Sequence, residues 1–292
     1  MSGSGLLAGI EAGGTKFVLA VGKSPTEILA MHSVPTTAPE NTLRQAADWF
    51  AKQGPIRALG IASFGPVELD RTSPRWGQIT NTPKPGWSGT DIAGYFGRQL
   101  SVPVGFDTDV NGAAIAEARF GRGDGSESLA YVTVGTGIGG GLVVGGKLVH
   151  GAAHPEMGHL FTPRRGRADI FRGVCPHHGD CLEGLASGPA ISARWGASLS
   201  DLGQDHEAHG LVAYYLAQLC HSIGAITATE VIVLGGGVLN AGGLIERVRT
   251  EAAAIDNGYL PGAQRRSIVS PALGDRSGIV GALILAEEAA EN

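Results

Sequence analysis

The stretch LLAGIEAGGTKFVLAVG, residues 6 to 22, decides the fold. Its two apolar runs, LLAGIEA and FVLAVG, predict two strands, and the GGTK between them predicts a tight turn. The same plan of strand, glycine turn and strand returns near the middle of the chain, with strands predicted at residues 129 to 134 and 141 to 144. This internal repeat predicts two related α/β lobes.

The rest of the chain alternates between strand and helix patterns. Short apolar runs predict further strands at RALGIAS, VPVGFDTD and VIVLGGG. Helices are predicted at residues 40–52, 91–100, 110–119, 186–196, 205–229, 244–254 and 278–290. Such alternation is typical of α/β proteins, which bind ligands at the edges of their sheets. We expect a first lobe of residues 1–120, joined by the C-terminal helix 278–292, and a second lobe of residues 121–277.

Composition narrows the functional classes. The chain of 292 residues has 27 acidic and 22 basic side chains and no basic run that would neutralise a phosphate backbone, so no nucleic-acid partner is expected. No apolar run is long enough to cross a bilayer, and the first residues lack the charged region of a signal peptide, so no membrane partner is expected either. With three cysteines and no export signal, we expect a reducing cytoplasm and no disulfide framework.

Three glycine-rich turns are candidates for phosphate binding. Backbone N–H groups in such turns can surround an anion because no side chain blocks the approach. The candidate phosphate- and nucleotide-binding residues are Gly13, Gly14, Thr15 and Lys16 in the first turn, Thr136 and Gly137 in the second, and Gly236 and Gly237 in the third. Each turn alone also fits an ordinary hairpin or strand-to-helix connection. None matches a P-loop or a GxGxxG that leads into a helix, which disfavours P-loop and Rossmann folds.

The segment FDTDVNGAA places carboxylates between a strand and a helix. Asp107 and Asp109 end the strand, and Asn111 follows in the helix. A carboxylate at such a junction caps the helix or serves as a general base. The phosphate-binding turns favour the second role for Asp109, because phosphoryl transfer to an alcohol needs one carboxylate to orient and deprotonate the attacking hydroxyl.

A group of cysteines and histidines predicts a metal site. Cys175, His178 and Cys181 follow a Cys-x2-His-x2-Cys pattern, and His159 precedes them in HPEMGH. Two thiolates and two imidazoles suit tetrahedral zinc, and four protein ligands close its coordination shell, so the predicted zinc ion is structural. His177 is an alternative to His178, and buried free cysteines are the alternative to a metal site.

Other polar residues flank this loop. Glu156 and Glu183 are candidates for hydrogen bonds with sugar hydroxyls, although each alone also fits a solvated surface charge. The Pro-, Gly- and Trp-rich stretch between residues 65 and 88 is typical of a binding loop. His154 is a less favoured metal candidate, and Cys220, in an apolar helical stretch, is expected in the core.

In their combination and order, these motifs resemble those of the ROK family, a group of bacterial repressors and sugar kinases, and within it the bacterial fructokinases. The resemblance covers nearly the whole chain and rests on EAGGTK, DTDVNGAA, GTGIGGG, HPEMGH, CPHHGDCLEGLASGPA and LGGGV. It implies a two-lobed actin-like (ribonuclease H-like) ATPase and sugar kinase fold with an interlobe cleft. It also implies ATP-dependent phosphorylation of a hexose, Mg-ATP as phosphoryl donor, a structural zinc ion and a homodimer.

The resemblance assigns roles to individual residues. Asp109 matches the catalytic base. The matching zinc ligands are His159, Cys175, His178 and Cys181. The substrate-binding residues that we expect are Asn81, Thr108, Glu156, His159 and Glu183. Because one nitrogen of His159 cannot serve both zinc and sugar, we expect the metal to take it, with an indirect link to the sugar.

Two positions depart from the wider family pattern. Glu11 stands where many members have aspartate, and Thr108 stands where glucokinases usually have asparagine before the base. Both differences resemble the fructokinase branch, so we expect conversion of D-fructose to fructose 6-phosphate, with glucose, mannose and N-acetylmannosamine as alternative substrates. A non-catalytic sugar-sensing regulator is the remote alternative, because family repressors carry an N-terminal helix-turn-helix domain and the first turn here leaves no room for one.

Overall fold

The computed structural model describes residues 5 to 291, which form two units, each with its own five-stranded sheet. The first unit comprises the chain up to Ala116, His150–His154 and the chain from Asp275, and the second comprises Glu117–Val149 and Pro155–Gly274. The sequence predicts that residues 121–277 form the second lobe, whereas the structure places His150–His154 in the first unit.

The strands in chain order are β1 (Leu6–Ala12), β2 (Lys16–Gly22), β3 (Ile28–Pro35), β4 (Ile56–Ser63), β5 (Val104–Thr108), β6 (Ser128–Val134), β7 (Ile138–Val144), β8 (Lys147–Leu148), β9 (Val231–Gly235) and β10 (Ser267–Val269). The helices are α1 (Pro39–Phe50), α2 (Ile92–Leu100), α3 (Asp109–Phe120), α4 (Leu182–Ala186), α5 (Gly188–Trp195), α6 (Glu207–Thr227), α7 (Leu244–Asp256) and α8 (Ser277–Glu291). None of the helices in the described part of the chain combines the length and apolarity that a bilayer crossing requires.

The two sheets repeat one topology. In the first, the strand order is β3-β2-β1-β4-β5, with β1, β2 and β3 antiparallel and β4 and β5 parallel to β1. In the second, the order is β10-β9-β6-β7-β8, again with an antiparallel hairpin, β6 and β7, and two parallel neighbours, β9 and β10. The α/β class and the internal repeat predicted from the sequence are confirmed.

Glycines allow α8 to lie directly on the first sheet. A Cβ atom on Gly60 of β4 would lie 1.8 Å from the carbonyl oxygen of Ala282, and one on Gly105 of β5 would lie 2.2 Å from that of Leu285. Any larger residue would push the helix away from the strands, because real Cβ contacts are never so short. The middle of α8 is consequently buried along its length.

The loop between β4 and α2 is anchored to the core of the first unit. Trp87 is fully buried, and its indole Nε1–H donates to the Thr37 carbonyl oxygen at 2.9 Å. Its ring lies against Phe17 and Phe64, with centroid separations of 5.4 and 5.5 Å. Burial of so large an aromatic side chain with its polar atom satisfied gives this long loop a fixed position.

One predicted helix is wrong at its start. The sequence predicts a single helix over residues 186–196, but α4 ends at Ala186 and α5 begins at Gly188. Ser187 between them is extended, with ψ 164°, and its side chain accepts a hydrogen bond from the N–H of Ala190. A serine followed by proline at the start of a helix is an N-cap signal, so the break has a local cause.

Candidate active site and metal centre

Asp109 is the first residue of α3 and directly follows the carboxyl end of β5. Its Oδ1 accepts a hydrogen bond from the N–H of Val110 at 2.9 Å. The hydroxyl of Thr108 accepts from the N–H of Asn111 at 3.1 Å and is only 3% exposed. Thr108 therefore accepts a backbone N–H in the first turn of α3, next to the one that Asp109 accepts from Val110. The hydroxyl of Thr108 is thus already engaged with α3, and its predicted contact with the sugar stays a prediction.

Asp107 braces the strand-to-helix junction on which Asp109 stands. The buried carboxylate accepts from the side-chain N–H of Asn111 at 2.7 Å through Oδ1, and its Oδ2 lies 2.8 Å from Nε2 of His150. The hydrogen bond to Asp107 raises the pKa of His150 above its ordinary value. Both oxygens of Asp107 are thus engaged in holding α3 and the segment after β8.

The first glycine turn presents its backbone to open space. The N–H of Gly13 donates to the carbonyl oxygen of Lys16 at 3.0 Å, and the Thr36 hydroxyl donates to the Gly13 carbonyl at 2.7 Å. A Cβ on Gly14 would meet nothing within 4 Å, so a ligand can approach this peptide closely. The ammonium group of Lys84 donates to the Gly14 carbonyl oxygen. Sequence reasoning missed Lys84, whose one signal was its place in the predicted binding loop.

Glu11 lies at the end of β1, at the foot of this turn. Burial, the Asp109 carboxylate and, to a smaller degree, Asp275 raise its pKa to about 7, against the opposing charge of Lys16. A Cβ on Gly278, in the first turn of α8, would lie 2.4 Å from the Glu11 carboxyl carbon. The charges of Asp109 and Asp275 therefore act on Glu11, which the sequence marks only as a departure from the family pattern.

The second glycine turn is held by Glu183. Oε2 of this carboxylate accepts a hydrogen bond from the N–H of Ile138 at 2.9 Å, and a Cβ on Gly137 would lie 2.5 Å from the same oxygen. The N–H of Gly188, at the start of α5, donates to the Gly135 carbonyl at 2.8 Å. One carboxylate oxygen of Glu183 therefore accepts a hydrogen bond from the protein backbone. The sequence predicts a sugar contact for Glu183 and does not predict this backbone contact.

The third glycine turn follows β9. Gly236 has a φ of 91°, and a Cβ there would lie 2.5 Å from the Val134 carbonyl oxygen, so this position requires glycine for conformation and for space. A Cβ on the next residue, Gly237, would meet nothing within 4 Å. The turn thus packs tightly against β6 on one side and exposes a bare peptide on the other.

The four predicted metal ligands come together in the second unit. One donor atom from each of His159, Cys175, His178 and Cys181 lies within 4.8 Å of the others. Nδ1 of His159 lies 3.3 Å from Nδ1 of His178, 3.6 Å from Sγ of Cys181 and 3.8 Å from Sγ of Cys175. Tetrahedral zinc, with bonds of about 2.3 Å to sulfur and 2.0 Å to nitrogen, separates its ligands by roughly 3.3–3.8 Å. The donor set and its spacing fit zinc.

Local hydrogen bonds build this cluster. Cys175 and Gly179 exchange backbone hydrogen bonds of 3.1 and 2.9 Å, which closes the turn that carries His178. The N–H of Leu182 donates to the Leu160 carbonyl at 2.8 Å and joins the residues next to Cys181 and His159. Burial raises the pKa of the Cys181 thiol to about 11, so a cation must displace a proton to bind there.

The other candidates lie apart from the cluster. Nε2 of His154 accepts from the N–H of Val67 at 3.3 Å in the first unit, and His177 is not one of the four clustered residues. Cys220 is buried in α6, as expected for a core residue. Among the predicted sugar contacts, Asn81 is exposed in the loop between β4 and α2, and Glu156 is exposed just before a short 3₁₀ turn that carries His159.

Two mixed sheets of repeated topology, glycine turns after their strands and a carboxylate at the β5–α3 junction define the actin-like ATPase class of folds. The chain belongs to the ROK family, whose model matches residues 7–289.

Named relatives support this placement. The chain is 48% identical to a fructokinase from Zymomonas mobilis subsp. mobilis over 291 residues, covering 97% of this chain and 96% of the relative. It is 39% identical to a fructokinase from Pediococcus pentosaceus, covering 98% and 99%. The crystal structure of the ROK hexokinase from Thermus thermophilus matches with a TM-score of 0.81 and 27% identity, covering 98% of this chain and 99% of that one.

Proposed function

We propose that the protein is an ATP-dependent hexose kinase that converts D-fructose to fructose 6-phosphate with Asp109 as general base. The observation that carries the proposal is the β5–α3 junction, where Thr108 caps the helix and Asp109 stands in the electrostatic field of Glu11 beside the first glycine turn. The similarity to the Zymomonas fructokinase supports fructose as the sugar.

The proposed reaction has one proton to move. Asp109 orients the O6 hydroxyl of fructose and accepts its proton while O6 attacks the γ-phosphorus of ATP. The O6–phosphorus bond forms as the bond from phosphorus to the β,γ-bridging oxygen breaks, and ADP leaves with that electron pair. Mg²⁺ enters with ATP as part of the substrate. The N–H groups of the glycine turns stabilise the phosphates.

The remaining site residues keep the roles predicted for them as part of this proposal. The ATP-binding residues are Gly13, Gly14, Thr15, Lys16, Thr136, Gly137, Gly236 and Gly237. Asn81, Thr108, Glu156 and Glu183 are proposed to contact the sugar, with Oε1 of Glu183 available because Oε2 holds Ile138. Since Nδ1 of His159 faces the metal cluster, only its Nε2 is proposed for any link to the sugar.

We propose that zinc is structural and is held by His159, Cys175, His178 and Cys181. The support is the set of four donors, with Nδ1 of His159 at 3.3–3.8 Å from the other three, and four protein ligands leave no coordination position for water activation. Bound there, zinc would fix the loop that carries Glu156 and the start of α4. A homodimer, a cytoplasmic location and the lack of nucleic-acid and membrane partners remain predictions of the same proposal.

A panel of sugars with MgATP tests the assignment. We expect the highest kcat/KM for D-fructose among fructose, glucose, mannose and N-acetylmannosamine, measured by coupling ADP release to NADH oxidation. Identification of the product by ³¹P NMR separates fructose 6-phosphate from fructose 1-phosphate. If another sugar has a higher kcat/KM, that sugar is the preferred substrate instead of fructose. If none of the four sugars is phosphorylated, the kinase assignment is contradicted.

A further inference from the structure

The second unit contains a cavity of about 610 Å³ that is lined by none of the residues proposed for catalysis or metal binding. Its walls are formed by α6, by the C-terminal half of α7 and by the chain from Gly258 to β10. Small-molecule sites in proteins occupy about 300–1,000 Å³, so the cavity has the volume of a ligand site.

Most of the lining is apolar. Cys220, Ala252, Leu260, Ile268 and Val269 contribute to this lining. Such a surface favours the burial of an apolar ligand body, at about 25 cal/mol for each Å² removed from water.

Positive charge exceeds negative charge in the lining. Arg249 and Arg266 both contribute, and each is fixed through its Nε–H, which donates to the carbonyl oxygens of Ile268 at 2.7 Å and Thr229 at 2.9 Å. Guanidinium groups fixed in this way are suited to bind a carboxylate or phosphate. The one carboxylate of the lining, Asp256, accepts from the N–H of Leu260 at 3.2 Å. Glu246, outside the lining, lies 3.7 Å from an Nη atom of Arg249 in an exposed ion pair. Within the lining itself, two cations stand against one anion, which favours an anionic ligand.

We propose that this cavity binds a small organic anion, a phosphate monoester or a carboxylate with an apolar body. The anionic group would pair with Arg249 and Arg266, and the apolar body would cover the lining between α6 and α7. The site is separate from the proposed kinase chemistry and does not depend on which sugar the enzyme phosphorylates.

The test uses phenyl phosphate and benzoate as probes. Phenol, which lacks the anionic group, and inorganic phosphate, which lacks the apolar ring, are the controls. Binding to the full chain is measured by ligand-observed NMR and calorimetry, in saturating fructose and a non-hydrolysable ATP analogue to occupy the proposed active site. Ala253→Trp fills the cavity from the exposed side of α7, and Ala254→Trp is its matched control, because Ala254 is equally exposed but does not line the cavity.

We expect phenyl phosphate or benzoate to bind wild type at least about tenfold more tightly than phenol or inorganic phosphate, as one added ion pair and apolar contact allow. Ala253→Trp should weaken this binding by about tenfold or more, while Ala254→Trp should bind as wild type does. Arg249→Gln should weaken the anionic probes and leave phenol unchanged. Equal binding by Ala253→Trp and wild type, or no preference for an anion over phenol, would overturn the proposal. A failure here leaves the sugar-panel result unaffected.

Discussion

Nε2 of His150 lies 2.8 Å from Oδ2 of Asp107, a buried carboxylate two residues before Asp109. The two residues are 43 positions apart in sequence, so the contact brings the segment after β8 back to the β5–α3 junction. It joins the short His150–His154 segment to the element that carries the proposed base.

This pair makes stability depend on pH. The folded state raises the pKa of His150, so its contribution is fully present below the ordinary histidine pKa of about 6.5 and is lost as the pH rises through the higher folded value. We expect His150→Gln to lower the urea midpoint more at pH 6 than at pH 9. An NMR titration that gave His150 a pKa at or below 6.5 would contradict this.

Glu11 predicts a second pH effect. Its pKa is raised to about 7, so the folded protein binds this proton more tightly than the unfolded chain does. The free energy of unfolding therefore falls as the pH rises from about 4.5 to about 7, by up to about 3 kcal/mol. Glu11→Gln, which is neutral throughout, should remove this loss and be more stable than wild type at pH 8. Parallel denaturation curves at pH 5 and pH 8 measure it, and an unchanged difference between the two proteins would refute the buried-acid interpretation.

Close packing of α8 on β4 predicts a large effect of one methyl group. Gly60→Ala would place a Cβ 1.8 Å from the Ala282 carbonyl oxygen, so we expect a loss of roughly 3 kcal/mol in the free energy of unfolding. Gly203→Ala is the control, since a Cβ there would meet nothing within 4 Å. Chemical denaturation of both variants gives the comparison, and similar small losses would show that the helix shifts easily.

The sequence predicts most strands of the two sheets, because a short apolar run followed by a glycine turn is a pattern of neighbouring residues. The hairpin GGTK turn and the carboxylates after β5 were visible for the same reason. The break at Ser187 is also local, because its serine and the following proline start α5 at Gly188, two residues after the predicted start of that helix.

Contacts between distant residues could not be predicted in this way. Lys84 reaches the Gly14 carbonyl across 70 positions, and Glu183 holds Ile138 across 45. Nothing in the spacing of these residues fixes such pairs, because they depend on how loops pack against strands. The pKa of Glu11 is likewise set by burial and by neighbours from three separate elements.

The proposed metal cluster predicts that two equally buried cysteines differ in their effect on zinc binding when each is replaced by serine. Cys181→Ser should abolish the binding of about one zinc ion per chain and lower the melting temperature, because a structural site with three ligands holds zinc poorly. Cys220→Ser, at an equally buried cysteine outside the cluster, should keep its zinc. Elemental analysis of both purified variants decides the point. Zinc retained in Cys181→Ser, or absent from wild type, would remove the proposed metal centre.

Asp109→Asn removes the carboxylate that is proposed to accept the proton and keeps the hydrogen bonds around it. The asparagine Oδ1 can still accept from the N–H of Val110, and Thr108 still caps α3, so the fold and ATP binding should be preserved. Without a carboxylate to take the proton, kcat should fall by roughly 10²- to 10⁴-fold, the usual contribution of a general base.

The measurement combines steady-state kinetics with controls for folding. Asp124→Asn removes an exposed carboxylate from the turn after α3 and should leave kcat within about twofold, as surface substitutions do. The affinity of Asp109→Asn for ATP, measured by calorimetry, should stay near that of wild type, because Asp109 is proposed to act on the sugar hydroxyl. Near-normal turnover in Asp109→Asn would take the base role away from this residue. Loss of ATP binding together with turnover would instead indicate that the carboxylate organises the phosphate site.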